Sequence, residues 1–370
     1  MKRVGDGIRD ILQQARQMGA SDVHLASGRA PLFRVDGRLV NLPGAGPVEP
    51  GELDALWAAA AHSSPPAGRR NRSGERDVAL ELEGVGRIRA NVFQSMGARA
   101  AVVRLIPPDI PGLDALGLPP SAVELAGHQH GLVLVAGPAG SGKSTTLAAM
   151  VQEISRNRDC HVVTLEDPVE YVHPADGRAL VRQREVGVDT ESFALGLRAA
   201  LRQDPDVLVV GEMRDVESMH IALVAAETGH LVLSSLHAPS AVQAIDRIVD
   251  SFPAEEQSRV RVQLAACLQG VIAQRLLPRR EGGRVLASEV LIATHAVRNL
   301  VRAGNIYQLQ TVMESGRSRG MQTLEQSLRL LRETGTLEEQ LGATDPDGGW
   351  AAGRLERWAH AGEDIPLPGS

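Results

Sequence analysis

Lysine is almost missing from this chain. Of 39 basic residues only Lys2 and Lys143 are lysines and the rest are arginines, so a lysine at a defined place in a motif stands out. Aromatic side chains are nearly as scarce, with four Phe, two Tyr and three Trp in 370 residues. That leaves little material for stacking bases, and a net charge of −6 gives no electrostatic pull toward nucleic acid. A nucleic-acid translocase is therefore a poor reading. The two cysteines, Cys160 and Cys267, are far apart and show no CxxC spacing. This excludes a disulfide scaffold and a cysteine-based zinc site. No apolar run approaches the roughly 18 residues that span a bilayer. The longest, around Leu132–Gly137, is strand-sized, and the first 19 residues lack the apolar core of a signal peptide. The expectation is a cytosolic protein with no transmembrane segment. What is present is 43% hydrophobic content, enough for packed cores, and a length that suits two domains.

The N-terminal third reads as a small α/β module. Ile8, Ile11, Leu12 and Ala15 recur at helical spacing before Gly19. Leu32–Val35 and Arg38–Val40 flank an Asp36-Gly37 hairpin turn. Residues 62–76 are a polar loop. Val78, Leu80 and Leu82 then alternate, the chain turns at Gly84–Gly86, Arg87–Phe93 runs back, and Ala100–Ile106 forms a last strand. These assignments predict a first domain over 1–108. Residues 109–120, the end of a stretch with five prolines and two glycines, read as a linker. A second domain over 121–341 alternates strand and helix, implying a largely parallel sheet covered on both faces. Its expected buried strands are Gly131–Ala136, His161–Leu165, Val207–Val210 and Leu231–Ser235, with helix predominating from about Ala254. A loosely ordered tail is expected over 342–370.

Gly137-Pro138-Ala139-Gly140-Ser141-Gly142-Lys143-Ser144 fits GxxxxGK[ST] at every defined position. Its glycines allow consecutive backbone N–H groups to wrap the β-phosphate of ATP. Lys143 reaches the β/γ oxygens, and the Ser144 hydroxyl ligates Mg2+. A buried strand precedes the loop and a helix from Thr145 follows, which brings phosphate to a helix N-terminus. After the next strand, Glu166, Asp167 and Glu170 stand where α/β folds place ligand chemistry, and a carboxylate there can polarise an attacking water. Taken alone they are an ordinary acidic turn. Asp206–Glu212 is a hydrophobic strand ending in an acid, with Gly211 where many NTPases carry the metal-holding aspartate. Glu212 then acts alone, through a metal-bound water. His230 and His237 bracket Leu231–Ser235, and at the carboxyl edge of such a sheet His237 can sense the γ-phosphate.

With these motifs assembled the chain resembles the secretion-ATPase superfamily and, within it, the PilT family of type IV pilus retraction ATPases. The likeness is carried by Ser21–Leu25, Arg34–Gly37, the P-loop, Thr164–Glu170, Asp204–Asp215, Glu227–His237 and Leu268–Leu277. It implies a RecA-like core with a PAS-like N-terminal domain and a homohexamer. It also implies that Glu170 is the general base, Glu212 the Walker B acid, and His230 and His237 members of the nucleotide site. Arginines of the N-terminal domain join the site in the family, and Arg89 and Arg104 match them by position. Neither has an acidic neighbour two positions away on its strand. The resemblance further implies an inner-membrane platform protein as partner, a PilU-like accessory ATPase, and placement at the inner face of the cytoplasmic membrane. Relatives that assemble pili or drive secretion carry a tetracysteine loop that this sequence lacks, and Ala296–Arg302 matches a segment associated with retraction. An assembly or secretion ATPase, or a nucleotide-gated accessory subunit, stands as the alternative. Departures from the family pattern are Ala139 in the P-loop and Ala238-Pro239 after His237, where two hydroxyl residues are usual.

Overall fold

The structure is a computed structural model that describes residues 5–35, 37–42, 44–63, 75–107 and 109–337. Most of the expected polar loop over 62–76 and all of the expected tail over 342–370 lie outside the described residues. The chain divides into two units. One holds the residues up to Ile106 with Pro278–Gly283 and the chain from Gly335; the other comprises Pro107–Leu277 and Arg284–Thr334.

In the first unit, helix α1 (Asp6–Gln17) buries Ile8, Leu12 and Ala15, the stripe its spacing predicts, and Gly19 at φ 68 turns the chain out of the helix. Strands β1 (Asp22–Ala26), β2 (Leu32–Val35) and β3 (Arg38–Asn41) follow, then helix α2 (Pro50–Ser63) and strands β4 (Arg76–Leu82), β5 (Gly86–Ser95) and β6 (Ala98–Leu105). They form an antiparallel sheet in the order β3-β2-β1-β6-β5-β4. Alternation decides its faces. Ile88, Ala90 and Val92 are fully buried with Val23, Phe33, Val103 and the two helices, whereas Arg87, Arg89 and Asn91 take the other face.

The second unit opens with α3 (Pro120–Ala126), β7 (Gly131–Ala136), α4 (Lys143–Asn157), β8 (His161–Glu166), β9 (Leu180–Glu185), α5 (Phe193–Ala200), β10 (Val207–Val210), α6 (Val216–Glu227) and β11 (Leu231–Leu236). It continues through α7 (Ala241–Asp250), α8 (Ala254–Cys267), β12 (Leu268–Pro278), β13 (Arg284–Ile292), α9 (His295–Ala303), α10 (Leu309–Ser315) and α11 (Leu324–Glu333). Among the described residues the sheet order is β13-β12-β7-β11-β10-β8-β9, with β7 to β12 parallel wherever they pair. Leu132, Leu134 and Ala136 join one apolar cluster and Val133 and Val135 the other, so the sheet is buried on both faces. The parallel α/β core expected from the sequence is the fold observed.

Two expectations need correction. The stretch over 109–120 is packed rather than free: Ile110, Leu113 and Leu118 are buried in the cluster that contains Leu125 and Ile154. Prolines limit the backbone there, but the apolar side chains between them still gain by leaving water. The chain after Ala254 is mostly but not wholly helical, because α8 runs directly into β12 and β13, which extend the sheet beyond β7. A fully buried strand has no period-two pattern to distinguish it from a buried helix, and Gly270–Gln274 is such a run.

Candidate active site

The functional side chains collect at the carboxyl ends of the parallel strands. The P-loop leaves β7 at Ala136 and enters α4 at Lys143. Gly142, the residue before the helix, has φ 90 and Gly140 has φ 71, conformations that a side chain would strain. At Gly137 a Cβ would lie 2.4 Å from Ser141 Oγ and 2.5 Å from Gln274 O, so the backbone is packed tightly against β12. Lys143 Nζ donates to Gly137 O and Pro138 O, both at 2.9 Å, which holds the ammonium across the loop. Burial lowers its pKa, opposed by the charges of Glu212 and Glu170, which places both carboxylates within electrostatic reach. Ser144 is exposed. A cradle that tolerates no Cβ at Gly137, a cation held across its mouth and a helix N-terminus behind it fit a nucleotide phosphate.

Glu212 follows β10 after Gly211. A Cβ at Gly211 would come within 3.1 Å of Leu165 O and 3.3 Å of Glu166 Cα, so a side chain at this crossing from β10 would be crowded. Glu212 is therefore the acid of this strand end. Its carboxylate accepts from Arg214 Nε at 2.7 Å and lies 3.2 Å from His237 Nε2. The His237 pKa is lowered, first by burial and then by the Lys143 charge, with Glu212 opposing. Thr145 Oγ1 and Tyr171 Oη are 2.9 Å apart, tying the first turn of α4 to the segment that carries Glu170.

Other expected residues lie elsewhere. His230 precedes β11 at the amino edge of the sheet. Parallel pairing sets Leu231 beside Gly131 and Leu236 beside Ala136, so a strand length of about 20 Å separates His230 from the P-loop of its own subunit. Its Nδ1 lies 3.1 Å from Ala225 O, so the ring engages local backbone. Within one subunit, then, His230 and His237 stand at opposite edges of the sheet. Arg89 and Arg104 belong to the first unit, opposite each other on β5 and β6. Arg104 has an acidic partner after all: its Nε donates to Asp22 Oδ1 at 2.9 Å. Asp22 sits across from it on β1, a neighbour invisible along a single strand. In α9, Arg298 is committed to structure, donating to the carbonyls of Ala293, Ala265 and Ala266 and to Gln269 Oε1 at 2.6–3.0 Å.

Gln274 was not singled out by the sequence reading. Buried in β12, its Nε2 donates to Ser141 O at 2.8 Å and its Oε1 accepts from Thr146 Oγ1 at 2.9 Å, clasping the P-loop to the sheet. The available signal was one amide within a buried apolar run, Val271-Ile272-Ala273-Gln274.

Residues 2–281 match the family model described as type II/IV secretion system protein. The type IV pilus retraction ATPase PilT of Pseudomonas aeruginosa is 43% identical over 337 residues, covering 90% of this chain and 96% of that protein. A twitching motility protein of Neisseria gonorrhoeae is 48% identical over 264 residues, covering 71% of this chain and 70% of that protein. Among solved structures, the pilus retraction motor PilT with bound ADP superposes with a TM-score of 0.80 at 42% identity, over 95% of this chain and 99% of that one. The chain belongs to the family of type II/IV secretion system proteins and is a P-loop ATPase of the PilT kind.

Proposed function

We propose that this ATPase is the motor that retracts a type IV pilus. The observation that carries the reading is the meeting of Lys143, Glu212 and His237 with the Glu170 segment at one sheet edge, in a chain that matches PilT along almost its whole length. Lys143 and the P-loop amides hold the β- and γ-phosphates of ATP. Ser144 and Glu212 are the residues that would hold Mg2+, which when bound neutralises charge on those phosphates. Glu170 orients a water in line with the γ-phosphorus and takes its proton. The new P–O bond forms as the bond to the β,γ-bridging oxygen breaks, and ADP and phosphate leave. His237, 3.2 Å from the Glu212 carboxylate, would help keep that carboxylate in place.

Nucleotide state is coupled to motion through subunits arranged as a homohexamer, with Arg89 and Arg104 serving the nucleotide of an adjoining subunit. The motor works in the cytoplasm against an inner-membrane platform protein, with a PilU-like ATPase as accessory. Among the described residues no helix is long and apolar enough to cross a membrane. Two features favour retraction over assembly or secretion: the missing tetracysteine loop and the Ala296–Arg302 segment.

The test is genetic and biochemical together. The purified chain should release phosphate from ATP, unaffected by DNA. Cells lacking it should carry pili that fail to retract, restored by the wild-type gene and not by Lys143→Ala. Loss of the pili themselves would identify an assembly motor instead.

A further inference from the structure

Between β8 and β9 the chain makes an excursion, Asp167 to Ala179, that contains Glu170, and one side chain on the edge strand β9 grips both flanks of Glu170. Gln183 Nε2 donates to Glu166 Oε1 at 3.0 Å and to Tyr171 O at 2.7 Å, while Gln183 Oε1 accepts from the His173 N–H at 2.9 Å. Glu166 is itself a hub. It accepts from Thr164 Oγ1 at 2.6 Å, and burial raises its pKa, opposed by its hydrogen bonds to Thr164 and Gln183. Glu185, two positions along β9, accepts from the Val169 N–H at 3.1 Å. The residues on either side of Glu170 are therefore fixed to β9, and Tyr171 fixes them to α4 through Thr145.

The chemistry of position 183 is narrow. A carboxylate and a carbonyl need two donors while an N–H needs an acceptor, and among side chains of this length only an amide supplies all three. Leucine supplies none. A glutamate supplies the acceptor and, when protonated, one donor.

We propose that Gln183 is a positioning residue for hydrolysis, setting where the Glu170 carboxylate stands relative to the γ-phosphate held at Lys143. The proposal rests on the reading of Glu170 as general base. Because a displacement of about 1 Å at a reacting group can cost 100-fold in rate, loss of the grip acts on turnover and spares the phosphate cradle, which Gln183 does not touch.

The experiment compares the full-length wild type with Gln183→Leu, Gln183→Glu, Tyr171→Phe and Glu170→Gln by equilibrium ADP and ATP binding and by phosphate release. Gln183→Leu should lower kcat about 10- to 100-fold with nucleotide Kd within about threefold of wild type. Gln183→Glu should regain part of that loss as pH is lowered from 8 to 6, as its carboxyl protonates beside Glu166. Tyr171→Phe, which keeps the ring and removes one hydroxyl, should give a smaller kcat loss with the same unchanged Kd. An unchanged kcat in Gln183→Leu alongside an inactive Glu170→Gln overturns the positioning role alone. So does a parallel loss of binding and turnover with no recovery in Gln183→Glu. Near-normal turnover by Glu170→Gln overturns the base assignment and the proposal with it.

Discussion

Strand β11 begins after His230 and ends before His237, so the two histidines sample opposite edges of one parallel sheet. At the amino edge His230 meets the backbone of the preceding helix, its Nδ1 at Ala225 O. At the carboxyl edge His237 meets the Glu212 carboxylate and lies in the field of Lys143, Arg247 and Arg214. The difference comes from the topology. Every strand of a parallel α/β sheet delivers its following loop to the same edge, so polar groups accumulate there, while the opposite edge receives helix ends whose carbonyls already need donors. Arg298 repeats the contrast: it sits in a segment associated with function, yet its donors are consumed by the end of α8 and the start of β12.

The largest expected effect falls on the cradle. Lys143→Ala removes a cation that contacts ground-state phosphates, so ATP affinity should fall by about 100-fold or more, measured by equilibrium nucleotide binding. Next is the pair of histidines. His237→Ala frees the Glu212 carboxylate and should cost about 10- to 100-fold in kcat, whereas His230→Ala should change phosphate release by less than about threefold. Equal losses in the two variants would erase the distinction between the edges, or show that His230 serves the site of an adjoining subunit.

The α9 contrast is smaller and shows in stability. Arg298→Ala leaves carbonyls of Ala265 and Ala266 without their donor and should destabilise the fold by about 2–4 kcal/mol, while exposed Asn299→Ala should cost under about 0.5 kcal/mol. Thermal unfolding of both variants checks this. A retraction defect in the Asn299 variant at full stability would mark the exposed side of the helix as the coupling surface.

The effect confined to acid pH concerns His173, whose half-buried ring has its pKa lowered to about 4 from 6.5. The folded state is the one that resists protonation. Its contribution is therefore complete above pH 6.5 and is lost as pH falls from 6.5 toward 4, where the unfolded chain takes up a proton that the fold refuses. At about 1.4 kcal/mol per unit the loss amounts to about 2–4 kcal/mol by pH 4, and His173→Gln should flatten that part of the stability profile. Chemical denaturation at stepped pH reads it directly.

Much of the second unit was legible because its signals are local. Four buried strands, the P-loop and the acids after β8 and β10 declare themselves within a few residues each. Edge strand β9 was not legible, since Leu180-Val-Arg-Gln-Arg-Glu185 is mostly polar and reads as loop until its pairing with β8 is known. Strand β12 hid behind α8, which runs into it without a breaker. The side chains missed in the site, Gln274 and Gln183, act through neighbours 128–133 and 10–17 residues away. Spacing alone cannot show which amide has found three partners. The Arg104–Asp22 pair, 82 residues apart, was hidden for the same reason.

In the proposed mechanism one sheet edge holds both a phosphate cradle and a separate group for the attacking water. Glu170→Gln separates them. Titrated with ATP and assayed for phosphate release in the same preparation, it should bind nucleotide within about threefold of wild type and lose at least about 100-fold in kcat. Near-normal release would contradict the account and shift the water-activating role to Glu166 or Glu212.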